Sequence, residues 1–275
     1  MPYFGLKALE KDKKYECHRL VVSLEVIPIR IEKRRGGFDL YQDIVNSLKT
    51  VSLEDGDILV ISSKYTANSQ NRIVDIEKIK SSEKSHSISE RFQLDAKTAE
   101  IVLRESDKIF GGVAGFVLAS SDNILAPNAG IDKSNVKKGS IILYPDLPYL
   151  ISEQLRRKLF LNFGIHIGII IVDSRLMPAR IGTTGVAIAC AGLEPVHDMR
   201  GQKDLDGNPL KVTLKATADN LATIANHKMG EGSESTPVAV IKNSGVKLTD
   251  RKIRTDEMAI SYDQCVYVRG FQSKN

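Results

Sequence analysis

The segment Ile165–Val172 constrains the fold more than any other part of the sequence, because it is almost continuous in isoleucine and valine. Such a run predicts a strand that is buried on both faces of its sheet. Asp173 and Ser174 follow it directly. A carboxylate at the end of a buried strand costs free energy unless it is paired, hydrogen-bonded or bound to a cation, so Asp173 is the first candidate for chemistry.

The rest of the chain alternates between short apolar runs and amphipathic stretches, which indicates a mixed α and β fold. Further strands are predicted at Leu20–Ile29, Asp57–Ser62, Phe116–Ala119, Leu210–Leu214 and Pro237–Lys242. Helices are predicted at Leu40–Leu48, Ala96–Glu105, Tyr149–Phe163 and Thr217–Met229. Gly111–Gly115 is interpreted as a flexible turn, and Gly230 is placed to end the last helix.

Composition excludes several classes of protein. The 275 residues are 42% apolar and 27% charged, which is typical of a globular chain. The net charge of +5 is small, and the basic stretches Lys11–Lys14 and Arg30–Arg35 are interpreted as solvated surface. With no tryptophan and no binding module, no nucleic-acid partner is expected. Three scattered cysteines predict neither a disulfide framework nor structural zinc. Without a signal peptide or a membrane-length apolar run, we expect a cytoplasmic protein that does not bind membranes.

Two further carboxylates stand in flexible, polar surroundings. Asp132 closes Asn128–Asp132 and is followed by Ser134 and Asn135, so hard oxygen groups suited to a cation are concentrated there. Glu231 lies between two glycines after a helix, where backbone N–H groups can approach an anion.

Each carboxylate also has an ordinary structural interpretation. Asp173 could cap a turn or pair with Arg175 or Arg180, Asp132 could stabilise a turn, and Glu231 could follow a simple helix C-cap. The sequence also contains no P-loop, no GxGxxG after a strand and no GxSxG. The five histidines are scattered.

Four motifs in the right order resemble the coenzyme F420-0:γ-glutamyl ligase family. They are Asn128–Asp132 with Ser134 and Asn135, Ile171–Ser174 continuing through Arg180–Gly182 to Val186–Ile188, Lys203–Leu205 with Gly207, and Met229–Gly232. The resemblance extends from about Leu24 to Gly245. It implies an α+β (α/β) fold of two domains, with mostly antiparallel sheets flanked by helices. It also implies a homodimer.

The resemblance implies GTP-dependent attachment of L-glutamate to the lactyl carboxylate of coenzyme F420-0, through an acyl phosphate. The metal ligands would be Asp132, Asp173, Ser174 and Glu231, holding paired Mg²⁺ or Mn²⁺, with K⁺ as a further candidate cation. Nucleotide contacts would come from Ser63, Lys64, Asn135, Met229, Gly230, Gly232 and Ser233. Arg180 and Lys203 would act as catalytic clamps for phosphate or carboxylate groups. Residues 1–107 with 214–275 would form the nucleotide-binding domain, and 108–213 the metal-site and dimerisation domain.

The sequence departs from the family in its nucleotide half. A Ser-Lys-Ala-Glu-Gly run is replaced by Ala67–Asn71, so that Asn68 and Gln70 stand where a lysine and an acid are usual. An N-terminal Gly-Leu-Pro-type loop is replaced by Ile31–Arg34, and Lys64 or Lys33 could supply the missing positive charge. Two alternatives follow: a carboxylate–amine ligase with another acceptor or nucleotide, and a non-catalytic nucleotide-binding regulator.

Overall fold

The computed structural model of the chain describes residues 23–272. The stretch Lys11–Lys14, Cys17 and the beginning of the predicted strand Leu20–Ile29 lie outside the described residues.

Twelve strands and seven helices are assigned within 23–272, together with four short 3₁₀ turns. The strands are β1 (Glu25–Ile29), β2 (Ile58–Ser62), β3 (Ile73–Asp75), β4 (Lys108–Val113), β5 (Phe116–Ser121), β6 (Ile124–Pro127), β7 (Ser140–Ile142), β8 (Gly168–Leu176), β9 (Thr183–Ala191), β10 (Val196–Asp198), β11 (Leu214–Ala216) and β12 (Val238–Lys242). The helices are α1 (Leu40–Ser47), α2 (Ser63–Ser69), α3 (Glu83–Phe92), α4 (Ala96–Glu105), α5 (Pro148–Phe163), α6 (Thr217–Met229) and α7 (Val266–Gln272).

A five-stranded sheet in the order β1-β12-β2-β8-β9 forms the centre. Only β2 and β8 run parallel, and the other three pairs in this sheet are antiparallel. Smaller sheets pair β4 with β5 and β6, β3 with β7, and β10 with β11. The predicted fold class, α+β with mostly antiparallel sheets and flanking helices, is confirmed.

The predicted double burial of the Ile/Val strand is explained by helices on both faces of the sheet. Ile170 and Val172 pack in one cluster with α6, and Ile169 packs in another with α1 and α5. The strand begins at Gly168, however, and continues to Leu176. Asp173 therefore lies inside β8 rather than after it, because pairing with β9 extends the strand beyond its apolar part.

One helix was not predicted, and two local predictions were wrong. Helix α3 forms within a charged, serine-rich segment, where the Ser82 side chain caps its first turn and Phe92 packs in a small apolar cluster. Most of Gly111–Gly115 belongs to β4 or its turn into β5, because the backbone pairs with β5 across a bulge. The strand predicted at Leu210–Leu214 is found instead at Leu214–Ala216.

The predicted division into two domains remains a prediction. The central sheet contains strands from both parts, since β2 belongs to the first predicted domain and β8 to the second. Among residues 23–272, no helix combines the length and apolar content that crossing a membrane requires.

Candidate functional site

A cleft of about 1000 Å³ opens at the end of the central sheet where β2 and β8 finish. Five separate segments contribute to its walls. They are the basic stretch 31–35, the start of α2, the turns and strand within 127–145, the end of β8, and the loop 229–237 between α6 and β12. Parallel strands bring their carboxyl ends to the same edge of a sheet, and loops there commonly form binding sites.

The parallel pairing of β2 and β8 places Ser63 beside Asp173. Ser62 is in register with Val172, and the next residue is Ser63 on one segment and Asp173 on the other. The Ser63 hydroxyl donates a hydrogen bond to the Asp173 carboxylate. Two predicted site residues that are 110 positions apart are therefore brought together by sheet register.

Alternation along β8 sends neighbouring side chains to opposite sides of the sheet. Asp173 and Arg175 share one side, where Arg175 Nε lies 2.7 Å from Asp173 Oδ2. Ser174 lies on the α6 side and donates to Glu231 Oε1 at 2.7 Å. Asn226 of α6 donates to the same oxygen at 2.8 Å. The cleft thus surrounds the end of β8 from both faces.

Gly185 allows this approach of helix and sheet. It is in register with Ser174 on the neighbouring strand. A Cβ atom at this position would lie 2.4 Å from the Asn226 Cβ and 2.7 Å from the Ala222 carbonyl oxygen, which is closer than atoms can approach. Only glycine therefore lets α6 come near enough for Glu231 to meet Ser174.

Asp132 faces the same cleft from the loop that precedes β7. Lys64 Nζ lies 2.6 Å from Asp132 Oδ2 and donates to Ser134 Oγ, also at 2.6 Å. Partial burial raises the pKa of Asp132. Hydrogen bonds from Lys64 and from the Ser134 backbone, together with the lysine charge, lower it by more than burial raises it, so the net pKa is below the usual value. Asp132 is therefore held ionised by Lys64 and Ser134.

The loop after α6 closes another side of the cleft. Gly230 ends the helix with φ of 77°, a backbone conformation that favours glycine. Asn135 Nδ2 donates to the Gly232 carbonyl at 3.4 Å. Ser235 exchanges hydrogen bonds with Ile31, which anchors the basic stretch to this loop. The predicted nucleotide contacts Met229, Gly230, Gly232 and Ser233 all line the cleft.

Arg180 and Lys203 do not join these residues. Both are exposed, and neither is among the residues that line the cleft. Arg180 belongs to the turn between β8 and β9, where its backbone N–H bonds to the Met177 carbonyl. Lys203 bridges to Pro209 in a separate surface hairpin. Their catalytic roles remain predictions.

The predicted metal ligands share the cleft without surrounding one point. Within residues 23–272, no three Asp, Glu, His or Cys side chains lie close enough together to hold one ion. Asp132 contacts Lys64, Asp173 contacts Arg175, and Glu231 contacts Ser174. The donor chemistry nevertheless suits Mg²⁺ or Mn²⁺, since carboxylate and hydroxyl oxygens are the hard ligands these ions prefer.

Buried polar atoms that lack a hydrogen-bond partner are concentrated here. Five residues of the described chain carry such atoms, and Asn68, Tyr144 and Arg175 line the cleft. Buried polar groups in folded proteins are normally satisfied, so each exception requires an explanation. From the sequence, Arg175 was predicted only as a possible salt-bridge partner of Asp173. Its position two residues after Asp173, on the same side of the strand, was the available signal.

Comparison with known proteins identifies the family. A sequence profile of the F420-0:gamma-glutamyl ligase family matches residues 28–243. The chain is 34% identical over 226 residues to the coenzyme F420:L-glutamate ligase of Archaeoglobus fulgidus, covering 82% of this chain and 90% of the relative. It is 32% identical over 222 residues to the enzyme of the same name from Methanopyrus kandleri, covering 80% of this chain and 87% of the relative.

A third relative, the coenzyme F420:L-glutamate ligase of Methanocaldococcus jannaschii, is 32% identical over 233 residues, which cover 84% of this chain and 92% of that protein. The matched region contains every segment that lines the cleft. The resemblance found in the sequence motifs is confirmed. The chain therefore belongs to the F420-0:gamma-glutamyl ligase family of acid–amino-acid ligases.

Proposed function

We propose that the chain joins L-glutamate to coenzyme F420-0 in a reaction that consumes GTP and uses a divalent cation. Relatives at 32–34% identity are named coenzyme F420:L-glutamate ligases. The observation that carries the proposal is the single cleft, which gathers residues 31–35, 63–64, 132–135, 173–175 and 229–237. Its volume of about 1000 Å³ is at the upper end of the range typical of small-molecule sites, as expected for a site that holds several substrates.

The charges of the cleft support a set of anionic ligands. Six cationic side chains line it: Lys33, Arg34, Arg35, Lys64, Lys137 and Arg175. Five carboxylates also line it: Glu32, Asp132, Asp173, Glu231 and Glu234. The cleft therefore offers cationic groups that can bind the negative charges of GTP, glutamate and an acceptor carboxylate, beside oxygens that can hold a cation. Arg34 is partly neutralised by Asp43, from which it is separated by 2.9 Å.

Activation of the acceptor is the chemical requirement of such a ligase, because a carboxylate is a poor electrophile. In the proposed reaction a carboxylate oxygen attacks the γ-phosphorus of GTP and GDP leaves. The glutamate nitrogen then attacks the acyl carbon, the C–O bond to phosphate breaks, and the nitrogen loses a proton. Phosphoryl transfer depends mainly on positioning and on neutralising charge. A second glutamate would be added in the same way through a γ-linkage.

The nucleotide would be positioned by Ser63, Lys64, Asn135 and the loop from Met229 to Ser233. Lys64 is suited to a phosphate because its ammonium group is only partly exposed and already stands between Asp132 and Ser134. Asn135 connects this wall to Gly232 on the opposite loop. A ligand that replaced the weak 3.4 Å contact between them would be held from two sides.

The proposed cation would be held by oxygens of Asp132, Asp173, Ser174 and Glu231, with K⁺ as a further candidate. Bound Mg²⁺ or Mn²⁺ would supply charge neutralisation for the phosphates. Glu231 is prepared for such a role, because Ser174 and Asn226 both donate to its Oε1 and so fix the carboxylate.

Gln70 and Asn68, which both depart from the family pattern, have different structural roles. Gln70 exchanges two hydrogen bonds with the Asp146 backbone, at 2.8 and 2.9 Å, and so has a structural role. Asn68 donates to the Arg34 carbonyl at 2.7 Å, while its Oδ1 is buried without a partner. Asn68 therefore favours the second candidate function, a carboxylate–amine ligase with another nucleotide or acceptor. A non-catalytic nucleotide-binding role is the third.

The test is a reaction of purified protein with Mg²⁺ or Mn²⁺, GTP or ATP, L-glutamate and F420-0, followed by mass spectrometry. A glutamyl-extended product with stoichiometric nucleoside diphosphate is expected, and omission of any one component should abolish it. Exchanging ATP for GTP, and other carboxylates for F420-0, separates the first two candidates. Nucleotide binding without turnover, unaffected by Asp173→Asn, would refute both ligase functions and leave the third.

We further propose that the chain acts as a homodimer. Ile181 and Leu205 are each 107% exposed, and they lie on the two surface turns that carry Arg180 and Lys203. These two side chains are therefore candidates for contacts with a second copy of the chain. Light scattering during size-exclusion chromatography should give twice the 30.3 kDa chain mass. The double variant Ile181→Asp, Leu205→Asp should be monomeric in the same measurement.

A further inference from the structure

Arg175 is an unusual residue in the wall of the cleft. Its side chain is 4% exposed. Nη1 and Nη2 have no hydrogen-bond partner among the described residues. Nε is 2.7 Å from Asp173 Oδ2, but the contact lacks hydrogen-bond alignment and Nε is also unsatisfied. An arginine carries five N–H donors, so this guanidinium is charged, dehydrated and without a hydrogen-bond partner, although it forms an ion pair with Asp173.

The surroundings of Arg175 hold the guanidinium without satisfying it. Its Cζ lies 5.6 Å from the centre of the Tyr144 ring, a cation–π distance. On another side stands Gly130, where a Cβ atom would lie 3.3 Å from Nη2 and 3.4 Å from Nη1. Gly130 follows Asn128 and Ala129, and all three have φ between 51° and 73°. A non-glycine residue such as Ala129 costs free energy in this conformation.

A buried cation whose donors are unsatisfied costs folding free energy, and this one lies beside a strained turn at the edge of a ligand-sized cleft. The unsatisfied donors are explained if the missing partner is a ligand. The planar fork of arginine matches two oxygens of a carboxylate or a phosphate. The negative charge of Asp173 beside the guanidinium disfavours the approach of more than one further anion. A single oxyanion group is therefore the expected partner.

We propose that Arg175 binds an oxyanion of a substrate, a carboxylate or a phosphate group, through Nη1 and Nη2. The inference rests on the proposed function, since it assigns to that cleft the residue that recognises a reacting or neighbouring anionic group. Arg175 is not among the predicted metal ligands, which are Asp132, Asp173, Ser174 and Glu231, nor among the predicted nucleotide contacts. Arg175 is a substrate-binding residue in this assignment.

Thermal unfolding with and without anions tests the assignment without requiring turnover. Wild type, Arg175→Met and Arg175→Lys are heated alone, with inorganic phosphate, with L-glutamate and with GTP. At tenfold excess over Kd, a bound anion should raise the wild-type Tm by about 3–5 °C. Arg175→Met removes unsatisfied donors but also the counter-charge of Asp173, so each variant's Tm with anion is compared with its own Tm without anion. Arg175→Met should lose the stabilisation by one class of anion, with Kd raised about 10- to 100-fold.

Arg156→Lys is the matched control. Arg156 is also buried but is satisfied by Glu153 and Asp250, away from the main cleft. Its substitution should lower Tm and leave stabilisation by every anion unchanged. The arm with phosphate or GTP and the arm with glutamate distinguish the two sources of oxyanion. Partial retention in Arg175→Lys, which keeps charge without the fork, supports recognition by geometry.

The outcomes separate this assignment from the proposed function. If no anion stabilises wild type, or if Arg175→Met responds to every anion as wild type does, the role of Arg175 is refuted whatever reaction is catalysed. If anions stabilise wild type and not Arg175→Met while no glutamyl product forms, the ligase function is refuted and the anion site stands.

Discussion

Replacing Glu231 by glutamine tests the proposed cation site most cleanly. Glu231 is exposed, and its Oε1 accepts hydrogen bonds from Ser174 and Asn226. A glutamine keeps that acceptor and the shape of the side chain but removes the charge. Because exposed substitutions of this type change stability by less than about 0.5 kcal/mol, the Tm should move by no more than about 2 °C.

The expected effect on cation binding is much larger. Two unit charges 4 Å apart interact by about 1 kcal/mol in a water-like dielectric, so a divalent ion gains about 2 kcal/mol from one carboxylate. The exposure of Glu231 makes the water-like value the appropriate one. Loss of about 2 kcal/mol corresponds to a Kd about 30-fold higher. Electron paramagnetic resonance of free Mn²⁺ during titration measures that Kd directly.

Glu234→Gln is the control for Glu231→Gln. Glu234 lies in the same loop, lines the same cleft, and accepts a 2.8 Å hydrogen bond from the Gly232 N–H. Its substitution removes the same charge a few residues away without touching a predicted ligand. Equal weakening of Mn²⁺ binding in both variants would mean that only the general field of the cleft matters. Unchanged binding in Glu231→Gln would remove Glu231 from the cation site.

Two further predictions concern stability. Asp173→Asn should lower Tm by roughly 2–10 °C, because it leaves the 4% exposed Arg175 without its counter-charge. The corresponding loss of stability is about 1–3 kcal/mol once the 21% exposure of Asp173 is allowed for. A wild-type Tm by calorimetry would contradict this. Burial raises the pKa of Glu153. Hydrogen bonds and charge from Arg156 and Arg157 lower it by more than burial raises it, so the net pKa is below the usual value. The stabilisation is therefore present above the unfolded pKa of about 4.3 and is lost as pH falls through the lower folded pKa. Urea midpoints between pH 6 and 3 should fall more steeply for wild type than for Glu153→Gln, and parallel curves would refute the role of this carboxylate.

Much of the architecture is determined by local pattern. Leu40–Ser47, Ala96–Glu105 and Thr217–Met229 form helices where apolar spacing predicted them, and the Ile/Val strand is buried on both faces. These features follow from side-chain periodicity and capping, which act over a few residues. Helix α3 was missed because its apolar residues are few, and packing of Phe92 against distant strands stabilises it.

The sequence by itself determined which residue types could perform the chemistry and, through four ordered motifs, the family. It did not determine their grouping. Ser63 meets Asp173 because of the register between β2 and β8, and Ser174 meets Glu231 because Gly185 lets α6 approach. Contacts of this kind join positions 57 to 110 residues apart, so no local pattern can encode them.

Tertiary structure also separated residues that the sequence had placed together. Arg180 and Lys203 belong to the same ordered motifs as the cleft residues, yet they lie on exposed turns outside it. Conversely, Arg175 is unsatisfied because no hydrogen-bond acceptor is correctly placed around its guanidinium. Such a lack depends on the packing of distant segments and cannot be predicted from the sequence. Side-chain chemistry is carried by each residue alone, whereas burial and pairing exist only once distant segments pack.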